Sequence, residues 1–132
     1  MNRLLLGLSA LLAAGLAAVA TAQTPGPDLA HGPDLAHGES VFQSRCSMCH
    51  SLDGPGQGPN LTGVVGRKAA TSPDFNYSDA MKAAGLTWDA ATLERFLTDP
   101  AKMVPGSPMR AMVPDGAERR DLIAYLGSLK AP

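Results

Sequence analysis

Two cysteines stand three positions apart with a histidine directly behind them, in Cys46-Ser47-Met48-Cys49-His50. No other stretch restricts the fold so strongly. C-x-x-C-H is the haem attachment signature. Two thiols at this spacing can add to the two vinyl groups of a haem, and the imidazole that follows falls over the iron. About one helical turn brings the three side chains together. A bare C-x-x-C also serves redox dithiols and half zinc sites. A zinc site needs two further ligands, yet there is no third cysteine, and the other histidines, His31 and His37, lie in a low-complexity stretch. A redox dithiol belongs in a βαβ pattern, which this chain does not show. The motif therefore asks for one haem c, attached through Cys46 and Cys49.

The chain opens with a short basic end, Met1-Asn2-Arg3, then an apolar run from Leu4 to Val19 and Ala20-Thr21-Ala22. This is the pattern of a secretory signal peptide over residues 1–22, cleaved after Ala22. Sixteen apolar residues fall short of the roughly 20 that a bilayer span requires. The reading is an exported, periplasmic protein with no stable membrane span after cleavage. Losing the leader removes one basic residue, Arg3, from 11 and leaves 10 Lys and Arg against 12 Asp and Glu. An acidic surface, made more so by haem propionates, argues against nucleic acid as a partner. The mature length supports one domain with a modest core, and a bound apolar macrocycle would enlarge it.

Gly-Pro-Asp-Leu-Ala-His occurs at 26–31 and again at 32–37. Two such short copies, each opened by Gly-Pro, predict a flexible tether over residues 23–37, with His31 and His37 solvated. The packed domain is expected over residues 38–132. A helix is predicted from Glu39 to Leu52, stopped by Asp53-Gly54-Pro55-Gly56. Gly58 to Arg67 is too glycine-rich for a helix and suits a loop wrapped on something flat. Ser78-Asp79 can start a short helix that Gly85 stops, and Asp89 can cap another whose apolar face is Leu93, Phe96 and Leu97. Pro100 to Pro114 holds four prolines and is expected to be irregular. Asp115 and Glu118 form a capping box for a last helix carrying Leu122, Ile123, Leu126 and Leu129. With no run of strict alternation, the class is mostly α.

Function turns on the second axial position. A thioether there gives a raised reduction potential and shuts out substrates, whereas an open position permits ligand binding or peroxide chemistry. Of six methionines, Met1 is in the leader, Met48 lies between the cysteines, and Met81 and Met103 suit structural positions. Met109, behind the turn Pro105-Gly106-Ser107-Pro108, and Met112 remain as candidates. No distal His or Arg for peroxide cleavage is evident.

These residues together resemble the class I cytochromes c, the mitochondrial type and its bacterial relatives, from Gly38 to about Leu129. Cys46 to His50 is similar to the family's attachment site. Gly58-Pro59-Asn60-Leu61 and Gly66-Arg67-Lys68 resemble its wrapping loop, and Phe75-Asn76-Tyr77-Ser78-Asp79-Ala80 its lower loop. The resemblance implies a single-domain cytochrome c fold, mostly α, with helices wrapped around one covalently attached haem. It implies His50 and Met109 as the iron ligands, the latter from the family's Pro-Gly-x-x-Met. It further implies that the Pro59 carbonyl receives the Nδ1 proton of His50, that Tyr77 and Trp88 bond a propionate beside Arg67, and that Gly38 and Phe42 pack on Leu122 and Tyr125.

Departures accompany the likeness. The loop from His50 to Pro59 is three residues shorter than the mitochondrial form, Phe96 replaces a tyrosine, Met81 a polar residue and Ala111 an edge aromatic. Only four lysines occur, so docking should rely less on charge. The resulting expectation is an electron-transfer protein rather than an enzyme: a monomeric carrier shuttling one electron between redox protein partners, a donor and a terminal oxidase or reductase. A haem enzyme or gas sensor with a labile sixth ligand, and a dedicated subunit of a dehydrogenase, are the alternatives.

Overall fold

The computed structural model describes residues 32–130. The leader, the first repeat copy and His31 lie outside the described residues. Five helices follow in chain order, α1 (Leu35–Arg45), α2 (Asp79–Ala83), α3 (Ala90–Thr98), α4 (Pro100–Met103) and α5 (Gly116–Ser128). Among the described residues β pairing is limited to one isolated antiparallel bridge, Lys68 with Thr87. The mostly α expectation describes this architecture.

Helix α1 begins inside the second repeat copy, three residues before the expected domain start at Gly38. Asp34 is its cap, with a side chain that accepts from the Ala36 and His37 N–H groups. Two orphan donors of the first turn are thereby satisfied. What reads as repetitive linker is, in its second copy, the opening of a helix. The far end also differs from the expected Leu52. Helical geometry stops at Arg45, and Cys46 to Cys49 form turns in which the Cys46 and Ser47 N–H groups both bond to the Phe42 carbonyl.

Helices α1 and α5 make the main helix pair. Gly38 is buried at the crossing, where a Cβ would lie 2.6 Å from the Asp121 carbonyl carbon and 2.8 Å from the Tyr125 Cβ. A mid-helix glycine costs roughly 1 kcal/mol against alanine. Close approach of the two backbones explains its presence. The gap beside it is filled by Phe42 and Leu122, both almost wholly buried, and the Phe42 and Tyr125 rings sit 5.9 Å apart. Arg45 on α1 and Glu118 on α5 approach to 2.8 Å. Glu118 therefore serves this ion pair, and only half of the predicted capping box forms: Asp115 accepts from the Glu118 N–H, while the Glu118 side chain turns to Arg45 rather than back to the Asp115 N–H.

The shorter helices start where their caps predict: Ser78 accepts from the Met81 N–H and Asp89 from the Thr92 N–H. Helix α4 corrects the expectation that residues 100–114 are irregular throughout. Asp99 accepts from the Lys102 N–H and Pro100 occupies the first turn, where a missing N–H costs nothing. Proline density alone misleads here, because one of the four starts a helix. The loop from 58 to 70 is tied to the rest through backbone bonds: Gly63 N–H to Leu129, Gly66 N–H to Trp88, and Ala69 N–H to Leu86.

Candidate haem site

A cavity of about 520 Å³ opens between the attachment turns, the glycine-rich loop, α3, α5 and the loop after α4. That volume falls within the roughly 300–1,000 Å³ usual for cofactor pockets. Its apolar walls include Val64, Leu93, Phe96, Leu97, Leu122 and Leu126. All eight candidate site residues, Cys46, Cys49, His50, Pro59, Arg67, Tyr77, Trp88 and Met109, line this one space, although they span 64 positions of sequence.

The histidine side is held from two directions. His50 Nδ1 lies 2.8 Å from the Pro59 carbonyl, a distance at which the imidazole N–H donates to that oxygen. With Nδ1 as donor, Nε2 keeps its lone pair. Gly58 packs against the ring, and a Cβ on it would stand 2.6 Å from His50 Cε1 and 2.8 Å from Nδ1. The Gly58 N–H in turn bonds to the Cys49 carbonyl at 2.8 Å. Sequence reasoning treats Gly58 as one of several loop glycines. Its contact with an imidazole eight residues away appears only in the fold.

Cys46 is partly buried and Cys49 exposed. Burial pushes the Cys46 thiol up to about 11, despite the opposing effect of Arg45.

Two methionines line the same cavity, Met109 from the loop and Met81 from α2. Met112, the alternative candidate from sequence, is about half exposed and is not part of the lining. Met81 is buried in the core and its position on the cavity wall is not anticipated from sequence. Tyr77 stacks edge-on to Phe75 at 4.9 Å, and Trp88 packs against Phe96 at 4.8 Å. Arg67 donates to the carbonyls of Thr62 and Asn60, which fixes its guanidinium beside the cavity. Arg45 and Arg110 also line it, while no carboxylate does. His50 is the single histidine of the lining.

The lining fits a haem. Two cysteines, one oriented imidazole, a thioether, apolar walls and arginines suited to propionates meet in one cavity. The family model for cytochrome c matches residues 35–130. The chain belongs to the cytochrome c family. It is 46% identical over 94 residues to cytochrome c2 of Rhodomicrobium vannielii, which covers 68% of this chain and 74% of that protein. It is 45% identical over 109 residues to cytochrome c of Chlamydomonas reinhardtii, covering 80% of this chain and 92% of the relative. The solved structure of cytochrome cH from Methylobacterium extorquens matches with a TM-score of 0.69 at 44% identity, over 72% of this chain and 98% of that one. This cytochrome is thus a single-haem electron carrier rather than an enzyme, with haem c attached through Cys46 and Cys49.

Proposed function

We propose that this cytochrome is a periplasmic carrier with His50 and Met109 as axial ligands, passing one electron at a time between protein partners. The observation that carries the reading is the donor set: an imidazole bonded at 2.8 Å to the Pro59 carbonyl faces a cavity that Met109 also lines. Haem, when bound, supplies the one-electron iron couple. The chain's residues decide how that couple behaves. Pro59 fixes the ring and tautomer of His50 and makes it a stronger donor. Met109 favours the reduced state and so raises the potential. Leu93, Phe96, Leu97, Leu122 and Leu126 keep water from the cavity, and lowered access of water strengthens charge effects inside. Tyr77 and Trp88 can donate to a propionate whose charge Arg67 offsets. Exposed Met48 and Met112 stand next in sequence to lining residues and suit weakly charge-dependent docking. Export rests on the leader pattern of residues 1–22, and no described helix is long and apolar enough to cross a membrane.

The test is the absorption spectrum of the dithionite-reduced holoprotein with and without carbon monoxide. An unchanged low-spin spectrum is expected. Met109→Ala should then bind carbon monoxide and lower the potential by about a few tenths of a volt, a fraction of the roughly 0.8 V that axial ligands span. A variant that kept the parent spectrum and potential would transfer the role to Met81. Prompt carbon monoxide binding by the parent would instead favour a sensor or enzyme with an open axial position.

A further inference from the structure

The stretch that presents Met109 is fastened at its two ends and nearly free between them. At its entry, the Ser107 N–H bonds to the Val104 carbonyl at 3.0 Å, and Ser107 is 1% exposed. At its exit, the Val113 N–H bonds to the Leu97 carbonyl of α3 at 2.9 Å. Between them, among the described residues, there is one long contact, from the Met109 N–H to Ser107 Oγ at 3.4 Å. Such a span holds its shape only as well as its anchors do.

The exit anchor has a second component. Arg119, on the first turns of α5, donates from one guanidinium nitrogen to the carbonyls of both Val113 and Pro114, each at 2.7 Å. Its Nε donates to Glu94 Oε1 of α3, also at 2.7 Å. The side chain is 13% exposed. One planar cation therefore ties the loop exit, α3 and α5 together. Its three bonds are charge-assisted, the stronger kind of protein hydrogen bond. Two adjacent carbonyls turned to the same nitrogen cannot both be satisfied if the loop swings outward.

We propose that Arg119 is the positioning residue of the axial loop: it closes the strap that presents Met109 and thereby sets how readily an external ligand takes the methionine's place. The inference rests on the reading of Met109 as axial ligand. Loss of the clamp should raise the population of the open loop, and the apparent affinity for an incoming ligand rises in proportion to that population.

Imidazole titration of the oxidised, full-length holoprotein tests this, followed by loss of the long-wavelength absorption that a thioether gives on ferric haem. Arg119→Ala should bind imidazole about tenfold more tightly, the fold-change expected when a net charged hydrogen bond is lost. Arg119→Lys keeps the charge without the planar fork and should fall between that variant and the parent. Glu94→Gln, which keeps an acceptor for Nε, gives a smaller shift in the same direction and serves if Arg119→Ala does not fold. Asp34→Ala, which weakens the α1 cap, should lower thermal stability and leave imidazole affinity unchanged. The proposal fails if Arg119→Ala and Glu94→Gln bind imidazole as the parent does, or if Asp34→Ala tightens binding as much as they do. A parent lacking the thioether absorption would overturn the Met109 reading and this proposal together, whereas a parent showing it with unshifted variants overturns the proposal alone.

Discussion

The α1–α5 crossing and the Met109 loop are built by opposite means. The crossing is closed by packing: Gly38 lets two backbones touch, and Phe42 and Leu122 fill the space with 2% and 0% exposure. The loop from Val104 to Asp115 contributes few buried side chains, and it is held by point contacts from Ser107, Val113 and Arg119. A packed interface resists displacement through many small terms that fail together. A strapped loop can open alone, because few contacts must break and the rest of the core is untouched. The two iron ligands of the proposed site divide along the same line. His50 follows the packed helix after one set of turns and is held by Pro59 and Gly58, while Met109 rides on the strap, so exchange of the axial ligand should begin on the methionine side.

The largest test of this division is Phe42→Ala. Removing a buried ring from the crossing should destabilise the holoprotein by about 3–5 kcal/mol, measured by denaturant unfolding, while imidazole affinity at the iron stays within a factor of about two. A parallel rise in imidazole affinity would show that crossing and loop open as one unit. Gly58→Ala probes the other ligand. A Cβ at 2.6 Å from His50 Cε1 forces the ring or the loop aside, at a cost of about 1–3 kcal/mol as for other overpacked sites. Its signature should be a changed reduction potential with the thioether absorption intact, because the Pro59 bond is disturbed and Met109 is not. If that absorption were lost instead, the two sides of the haem would be coupled more tightly than the packing implies.

How much of this was legible beforehand follows the range of each interaction. The attachment motif and the caps at Ser78, Asp89 and Asp115 are local, complete within five residues, and sequence reading places them. The start of helix α1 is hidden in the sequence because Asp34 sits in a duplicated segment whose composition resembles a linker, and a cap's function depends on one side chain rather than on composition. Helix α4 leaves no mark in the proline count because proline at the first turn and proline inside a helix look alike there. Arg119 carries no local signal at all. Its acceptors belong to Val113, Pro114 and Glu94, and only the fold brings the last of these, 25 positions away, to its guanidinium. Met81 reads as core filling and is that, but the wall it fills is also the wall of the cavity.

The smallest expected effect lies where the second repeat copy meets α5. His37 Nδ1 is 2.8 Å from Asp121 Oδ2, and the other carboxylate oxygen of Asp121 accepts from the Asp34 N–H and from Arg120. The hydrogen bond with Asp121 raises the His37 pKa above 6.5, burial opposes it, and the charges of Asp121, Asp34 and Glu118 add to the rise. For Asp121, burial acts to raise the pKa, but the bonds from His37, the Asp34 N–H and Arg120 outweigh it and leave the carboxyl below its ordinary 3.8. Because the His37 value is raised on folding, its stabilisation is complete below 6.5 and is lost as pH rises through the raised value. Because the Asp121 value is lowered, its contribution is present above 3.8 and is lost as pH falls through the lowered value. The pair therefore strengthens the crossing most between those limits. His37→Ala should remove the decline on the alkaline side, by at most about 1 kcal/mol, since the imidazole is 46% exposed and solvent screens it. Unfolding free energies of parent and variant at a series of pH values should converge above the raised His37 value and separate below it. Parallel curves would mean that protonation of His37 contributes nothing to the hold of α1 on α5.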